Sequence, residues 1–495
     1  MEEIHENGPS LETRVREESA NQIKINETES RQQMLLQSQQ MQYITDLFAK
    51  NSTKPVKVSS VVVNNAESIR PSVLQSYLDA TINQALNFQQ LVKQSDTLHY
   101  KLVSNGLVED VSQTLDSRGS FQVPVTQTQL PGLMYKSDIP TSISVLDIVP
   151  TLQLQPIKKF SAKTGTNIGN GEGDGYLQFQ WRNVLGGGEK FTFDATKGTK
   201  THSSYLLNFT QPISPWWLWD SIIFKNSRQM GQAELFLRGI RTTLKSGFYG
   251  DLPVNHELHW ENLWRSTKAT STHASDYLLF QGGDDLKSSL CHIMTIDDRD
   301  NAISPTRGNY AKLLNELALG KFWKTTLEFS RTNSWFTNDF ITMTGTFKGG
   351  YISNFHPKSQ PLHMGDKFHN GGSNDVRGFQ AMGLGPKDLY DSMGGDAFVA
   401  YGVSLFSRLP VRRWYESNFR LHWFVNGGRL INHNNTNLSS CIKSLTQEHS
   451  TSTGVGLVFK HPVARFELNF TVPISAHSSD SVRKGFQYGI GLTFL

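Results

Sequence analysis

The chain holds only two cysteines, Cys291 and Cys441, in 495 residues. Two thiols cannot build a disulfide framework or, alone, a structural zinc site. It also lacks charge of one sign: 48 Lys+Arg against 44 Asp+Glu leave a formal net charge of +4, which excludes the basic footprint of a nucleic-acid binder. Hydrophobic residues make up only 37%. Nowhere do they form the run of about 18 that a spanning helix requires, so helical membrane proteins are excluded. A membrane barrel is not, because its strands are only about half apolar. The amino terminus, Met1-Glu2-Glu3-Ile4-His5-Glu6, has neither the charged-then-apolar design of a secretory signal nor the acid-poor composition of a transit peptide. A chain made and kept without a cleaved address is expected.

What is abundant is glycine, at 40 residues, and aromatic side chains, at 11%. Both favour β structure whose apolarity alternates and never accumulates. Residues 1–53 are polar and Gln-rich, and read as a disordered arm with a possible late helix. Residues 54–150 read as a small α+β unit. Val58–Val63 is a β-branched strand and Pro71 opens a helix, where its missing N–H is harmless. A second helix runs from about Ser95 to Gly106, and Val108–Leu115 and Ile143–Val149 follow as strands.

From residue 156 to 495 strands and turns alternate. In Arg465–Val472 every second residue is apolar, and Phe419–Asn426 does the same except at Phe424. Phe486, Tyr488, Ile490, Leu492 and Phe494 line one side of the final strand. The turn-bounded segments suggest about sixteen strands, each long enough to cross a bilayer. An apolar outside with a polar, Gly-rich inside predicts a transmembrane β-barrel of about sixteen antiparallel strands. Trp216, Trp217 and Trp219 fit an interfacial girdle. Gly169–Gly175 and Gly186–Lys190 do not complete a phosphate loop and read as hairpin turns, and no H-E-x-x-H occurs. No metal, no cofactor and no enzymatic activity are expected.

One long loop stands out, between a strand ending near Tyr351 and one starting near Asp396. Connections of that length are usually functional or disordered. It carries Phe368-x-x-Gly371-Gly372-x-x-x-Val376-Arg377-Gly378-Phe379. An arginine here suits a carboxylate in a low-dielectric lumen, and Glu467 and Asp396 are both candidates. The pattern resembles the loop-six signature of the outer-membrane barrel-assembly superfamily. The small unit ahead of the barrel looks like that superfamily's polypeptide-transport-associated (POTRA) domain. Phe424-Val425-Asn426-Gly427-Gly428 resembles a further family segment, with Asn426 where an acid is usual. One POTRA-like unit, no signal and a closing strand of the polar-x-Gly-x-x-hydrophobic-x-hydrophobic kind, Gln487–Phe494, fit the mitochondrial sorting and assembly branch.

The resemblance implies an insertase that places β-barrel precursors in the mitochondrial outer membrane. It implies a lateral gate between the first and last strands, where the precursor's carboxy-terminal β-signal is read by strand addition. The first gate strand is expected over Ile157–Asn167, with Ile157, Lys159, Phe160, Ala162, Thr164 and Asn167. The last holds Gly485, Gln487, Gly489, Gly491, Leu492 and Phe494, its glycines weakening the pairing. From the residues alone, ordinary barrel closure fits these strands equally well. Implied partners are barrel precursors, membrane lipid and accessory subunits on the cytosolic side, with the POTRA unit in the intermembrane space. A passive pore, a two-partner-secretion exporter and a soluble β-rich binding protein are the alternatives.

Overall fold

A computed structural model describes residues 36, 38–43, 45–46, 48–124, 142–169, 172–198, 203–247, 254–336, 339–357, 361–410, 414–415, 417–433, 438–492 and 494–495. In the amino-terminal arm, positions 36, 38–43, 45–46 and 48–51 are helical, and residues 1–35 lie outside the described residues. The chain divides into two compact units. One comprises Met1–Asn65, Tyr77–Tyr100 and Asp110–Leu154, and the other Ala66–Ser76, Lys101–Glu109 and Gln155–Leu495.

The first part of the chain is α+β. Strands β1 (Val56–Val58), β2 (Val62–Asn64), β3 (Val108–Pro124) and β4 (Ser142–Pro156) form a four-stranded sheet, with helices α1 (Pro71–Ala80) and α2 (Phe88–Ser104) between β2 and β3. The single strand expected at Val58–Val63 is two short ones. β1 pairs in parallel with Leu146–Ile148 and β2 in parallel with Thr151–Gln153, successive stretches of β4, and the pairing shifts by one residue between them. Pro71 opens α1 as expected. The second helix starts at Phe88, ahead of the expected Ser95, and Gly106 follows its end at φ 72°. Leu91, Leu98, Val111, Ile148, Leu152 and Leu154 are buried.

The second part is one antiparallel sheet of sixteen strands. In order they are β5 (Phe160–Gly169), β6 (Glu172–Arg182), β7 (Lys190–Gly198), β8 (Ser204–Ser214), β9 (Trp217–Met230), β10 (Ala233–Ser246), β11 (Val254–Ala269) and β12 (Gly283–Asp297). Then come β13 (Gly308–Ala318), β14 (Phe322–Trp335), β15 (Ile341–Asn354), β18 (Ala397–Arg408), β19 (Phe419–Ile431), β20 (Ser450–Lys460), β21 (Arg465–Ser475) and β22 (Gly485–Gly491). Inserted elements are the helices α3 (Asp276–Phe280) and α4 (Leu438–Leu445) and a small hairpin, β16 (Lys387–Asp388) with β17 (Asp391–Ser392). Gly186–Glu189 lie in the connection between the antiparallel strands β6 and β7, a hairpin turn as expected; at Gly169–Gly175, Gly169 ends β5 and Glu172–Gly175 open β6, with positions 170–171 outside the described residues.

Burial alternates against the usual sense. On β21, Glu467, Asn469 and Thr471 are at most 3% exposed, whereas Phe466, Leu468, Phe470 and Val472 are 38–52% exposed. A sheet with acids and amides inside and a continuous apolar exterior is stable only with hydrocarbon outside, which is the transmembrane barrel. Trp217 and Trp219 lie on the outward face of β9. The polar wall is laced with cross-strand ion pairs such as Arg241–Glu261 at 2.5 Å and Lys287–Glu316 at 2.7 Å.

Two boundaries differ from the sequence reading. The first barrel strand begins at Phe160, so Ile157 and Lys159 lie in the link after Pro156, which ends β4 and has no N–H to continue a ladder. Phe160, Ala162, Thr164 and Asn167 are on β5. The last strand ends at Gly491. Leu492 still faces outward, 60% exposed, but Phe494 turns inward and is buried at 8%. A prediction follows from the inverted pattern. Val455→Arg, on the exposed face of β20, should destabilise the inserted barrel by about 2–4 kcal/mol, read from urea titrations of the protein in vesicles.

Candidate functional site

The long loop runs from residue 355 to residue 396 between β15 and β18, the eleventh and twelfth barrel strands. At its outer end, the β16–β17 hairpin is tied to the β11–β12 connection. Ser275 N donates to Asp391 Oδ2 at 3.0 Å and Tyr277 N to Asp388 Oδ2 at 3.0 Å, at the first turn of α3. Phe368 exchanges backbone hydrogen bonds with Gly395 and packs on Phe398 with ring centroids 4.6 Å apart. Gly350 makes this possible, since a Cβ there would lie 2.5 Å from the Phe368 ring.

Beyond Phe368 the chain turns sharply. Gly371 and Gly372 have φ 106° and 122°, a region that L side chains rarely adopt. Asp375 locks the turn by accepting from Gly371 N at 2.8 Å and Asn370 Nδ2 at 3.1 Å. Val376, Arg377 and Phe379 follow, and none is accessible to solvent. Gly378, at φ 86°, lies where a Cβ would meet Ser452 Cβ at 2.8 Å.

Each of the three guanidinium nitrogens of Arg377 donates a hydrogen bond. Its Nε and Nη2 donate to Glu467 Oε2 at 3.2 and 2.9 Å, and its Nη1 to the Leu495 carbonyl at 2.8 Å. The guanidinium carbon lies 4.8 Å from the Phe424 ring centroid and 5.7 Å from that of Phe494. Of the two candidate carboxylates the structure uses Glu467. Asp396 instead accepts from His433 N. Glu467 is also held by Asn469 Nδ2 at 2.9 Å and Arg465 Nη2 at 2.8 Å. Phe424, which interrupts the polar row of β19, is the surface on which Arg377 stacks. Asn426 approaches the loop through Ser452, whose Oγ is 2.7 Å from Asn426 Oδ1 and donates to the Arg377 carbonyl.

The same loop grips the last strand. Gly378 N donates to Gln487 Oε1 at 3.0 Å, Arg483 N to the Gly378 carbonyl at 2.8 Å, and Asn374 Nδ2 to the Ile490 carbonyl at 2.9 Å. Leu495 N donates to the Asn374 carbonyl at 3.2 Å. Gly489 and Gly491 leave the space for Asn374: a Cβ would come within 2.5 and 2.9 Å of its amide. These glycines, expected only to weaken pairing, admit the loop. Gly485, at φ 104°, has open space around it. Asn374 and Ser452 escaped the sequence reading, since polar residues in a Gly-rich loop or on a lumen face carry no distinguishing signal.

Comparison with known proteins follows the same lines. Residues 183–494 match the Omp85 superfamily domain. The chain belongs to the Omp85 superfamily. The Sorting assembly machinery 50 kDa subunit of Saccharomyces cerevisiae is 42% identical over 476 residues, 91% of this chain and 96% of that protein. The Sorting and assembly machinery component 50 homolog of Homo sapiens is 29% identical over 427 residues, 83% of this chain and 85% of that protein. Among solved structures, BamA from Haemophilus ducreyi lacking POTRA domains 1–3 superposes with a TM-score of 0.63 at 15% identity. The superposition covers 88% of this chain and 84% of that chain. Within the Omp85 superfamily the chain stands with the sorting and assembly machinery 50 proteins.

This Omp85 loop has a second anchor, on the wall formed by β11 and β12. Asp366, 4% exposed, pairs with Arg265 Nη2 at 2.7 Å and Lys287 Nζ at 3.3 Å, and its carbonyl accepts from Lys324 Nζ at 2.8 Å. His363 Nε2 lies 3.0 Å from Thr267 Oγ1. Burial opposes ionisation of Asp366, but Arg265 and then Lys287 outweigh it and hold the carboxyl at about 2. Burial, with Arg265 nearby, lowers His363 to about 4. Both groups bind protons less readily in the docked loop, so its attachment weakens as pH falls.

Two predictions follow. Limited proteolysis of residues 361–368 should accelerate as pH drops from 6.5 toward 4, where His363 must become charged, and further as Asp366 is protonated near pH 2. His363→Gln should abolish the upper step. Arg377→Ala strands part of a buried charge network, a loss of about 3 kcal/mol in loop docking. Arg377→Lys should not restore it, because one ammonium cannot serve the carboxylate and the carbonyl with a planar fork. Protease protection of the loop in the two variants, with barrel mobility on unheated gels as the folding control, measures both.

Proposed function

We propose that the chain inserts β-barrel precursors into the mitochondrial outer membrane through a lateral gate between β5 and β22. The carrying observation is where the ladder of sixteen strands ends: among the described residues β5 and β22 share no pairing register, and β22 is only seven residues long. The names of the relatives, which place them in a sorting and assembly machinery, support an assembly role.

The physical task is clear. A precursor strand in hydrocarbon has unpaired N–H and C=O groups, each costing several kcal/mol. An edge strand supplies those partners by β-augmentation, and pockets for alternate side chains read the precursor's carboxy-terminal β-signal. Loop six bonds to β20, β21 and β22, through Ser452, Glu467 and Gln487, and so stiffens one side of the seam. The β5 side then moves to admit the guest. On this reading no bond-making chemistry is needed, accessory subunits of the sorting and assembly machinery bind on the cytosolic side, and the amino-terminal α+β unit handles precursors in the intermembrane space. A loop docked through the lumen also disfavours a wide diffusion pore.

The decisive experiment joins the edges. Cysteines at Ala162 and Tyr488, oxidised to a disulfide, should stop precursor assembly, and reduction should restore it. Single cysteines along Phe160–Gly169 should crosslink to the last strand of an arrested precursor. Undiminished assembly through an oxidised seam would refute the gate.

A further inference from the structure

The outward face of β8–β11 carries a row that an ordinary lipid-facing wall does not need. Register places Tyr205, Lys225, Arg238 and Trp264 side by side across four strands. Lys225 Nζ sits 5.8 Å from the Tyr205 ring centroid. Arg238 is exposed, and among the described residues neither cation has a carboxylate within ion-pair distance. The next row on the same face in one direction holds the apolar Leu207, Ile223 and Ile240, with Asn262 at its β11 end. In the other direction it holds Ser227 and Ser266 around Phe236. The row therefore marks the rim of the apolar band, at the strand ends on the side from which loop six enters. A groove of about 360 Å³ joins the four residues to the apolar row.

Two adjacent cations without carboxylates, bracketed by Tyr and Trp at an interface and continuous with an apolar groove, have the chemistry of a phospholipid site. Tyr and Trp seat at headgroup depth, basic residues there attract anionic headgroups, and the groove accommodates an acyl chain. We infer that Lys225 and Arg238 hold the phosphate of an anionic glycerophospholipid, with Tyr205 and Trp264 as its side walls and an acyl chain along Leu207, Ile223 and Ile240.

The test uses the full chain in nanodiscs of phosphatidylcholine with a minor fraction of phosphatidylinositol, released into detergent for intact-protein mass spectrometry. Wild type should retain phosphatidylinositol in excess of its share of the bilayer. Lys225→Gln with Arg238→Gln should reduce that preference by roughly 30-fold, the ratio expected from removing two cations beside an anionic headgroup. Arg238→Lys should largely keep it. An acyl-diazirine phosphatidylinositol should label wild-type peptides within residues 204–246, a readout that requires no variant to fold. Equal retention in wild type and the double variant, label concentrated elsewhere, or an acidic polypeptide occupying the row in place of lipid would overturn the inference.

Discussion

A guanidinium withdrawn from water must satisfy its donors with protein groups or not be there at all. Arg377 meets that demand with Glu467, the Leu495 carbonyl and two aromatic faces. Each partner lies on a different stretch of chain, so the demand of one side chain fixes a loop, a strand face and an inward bend together. The ion pair alone is weak evidence of stability, since desolvation offsets much of its attraction. Its contribution is specificity of position: few other placements of residues 368–379 give all three guanidinium nitrogens a partner.

Asp366 gives the loop a second fixed point on the β11–β12 wall. The loop is therefore a strut between two parts of the barrel wall. At one end Asp366 sits between two cations, and at the other Glu467 sits between Arg377 and Arg465. Charge alternates in sign along the contact, so neither end leaves a buried charge unpaired. The glycines of β22 take part through geometry alone, because Asn374 approaches where any side chain would stand.

Much of this was legible in the sequence where physics imposes a period. β21 alternates without exception, and the barrel follows from that pattern. The Phe368–Phe379 motif was legible because it lies in an unusually long Gly-rich connection and its spacing resembles the loop-six signature of the superfamily. Less was legible where tertiary pairing decides. The break between β1 and β2 comes with a one-residue shift in their pairing along β4, and nothing local in Val58–Val63 reports it. The inward turn of Phe494 departs from a flawless alternation because Arg377 and Arg465 offer its ring a cationic surface. The choice of Glu467 over Asp396 rests on which wall the loop reaches. Phe424, an exception in its row, was the visible trace of that answer.

The contacts that seat Arg377 join residues 90 and 118 positions apart. Both partners come late in the chain, so this end of the loop has nothing to grasp until the final hairpins have formed, whereas the partners of Asp366 lie on the earlier strands β11 and β12. Distant pairings of this kind are the slow ones in any folding reaction. The crossbeam thus has one end whose partners precede it in the chain and one end whose partners follow it, and only the second must wait for the closing strands.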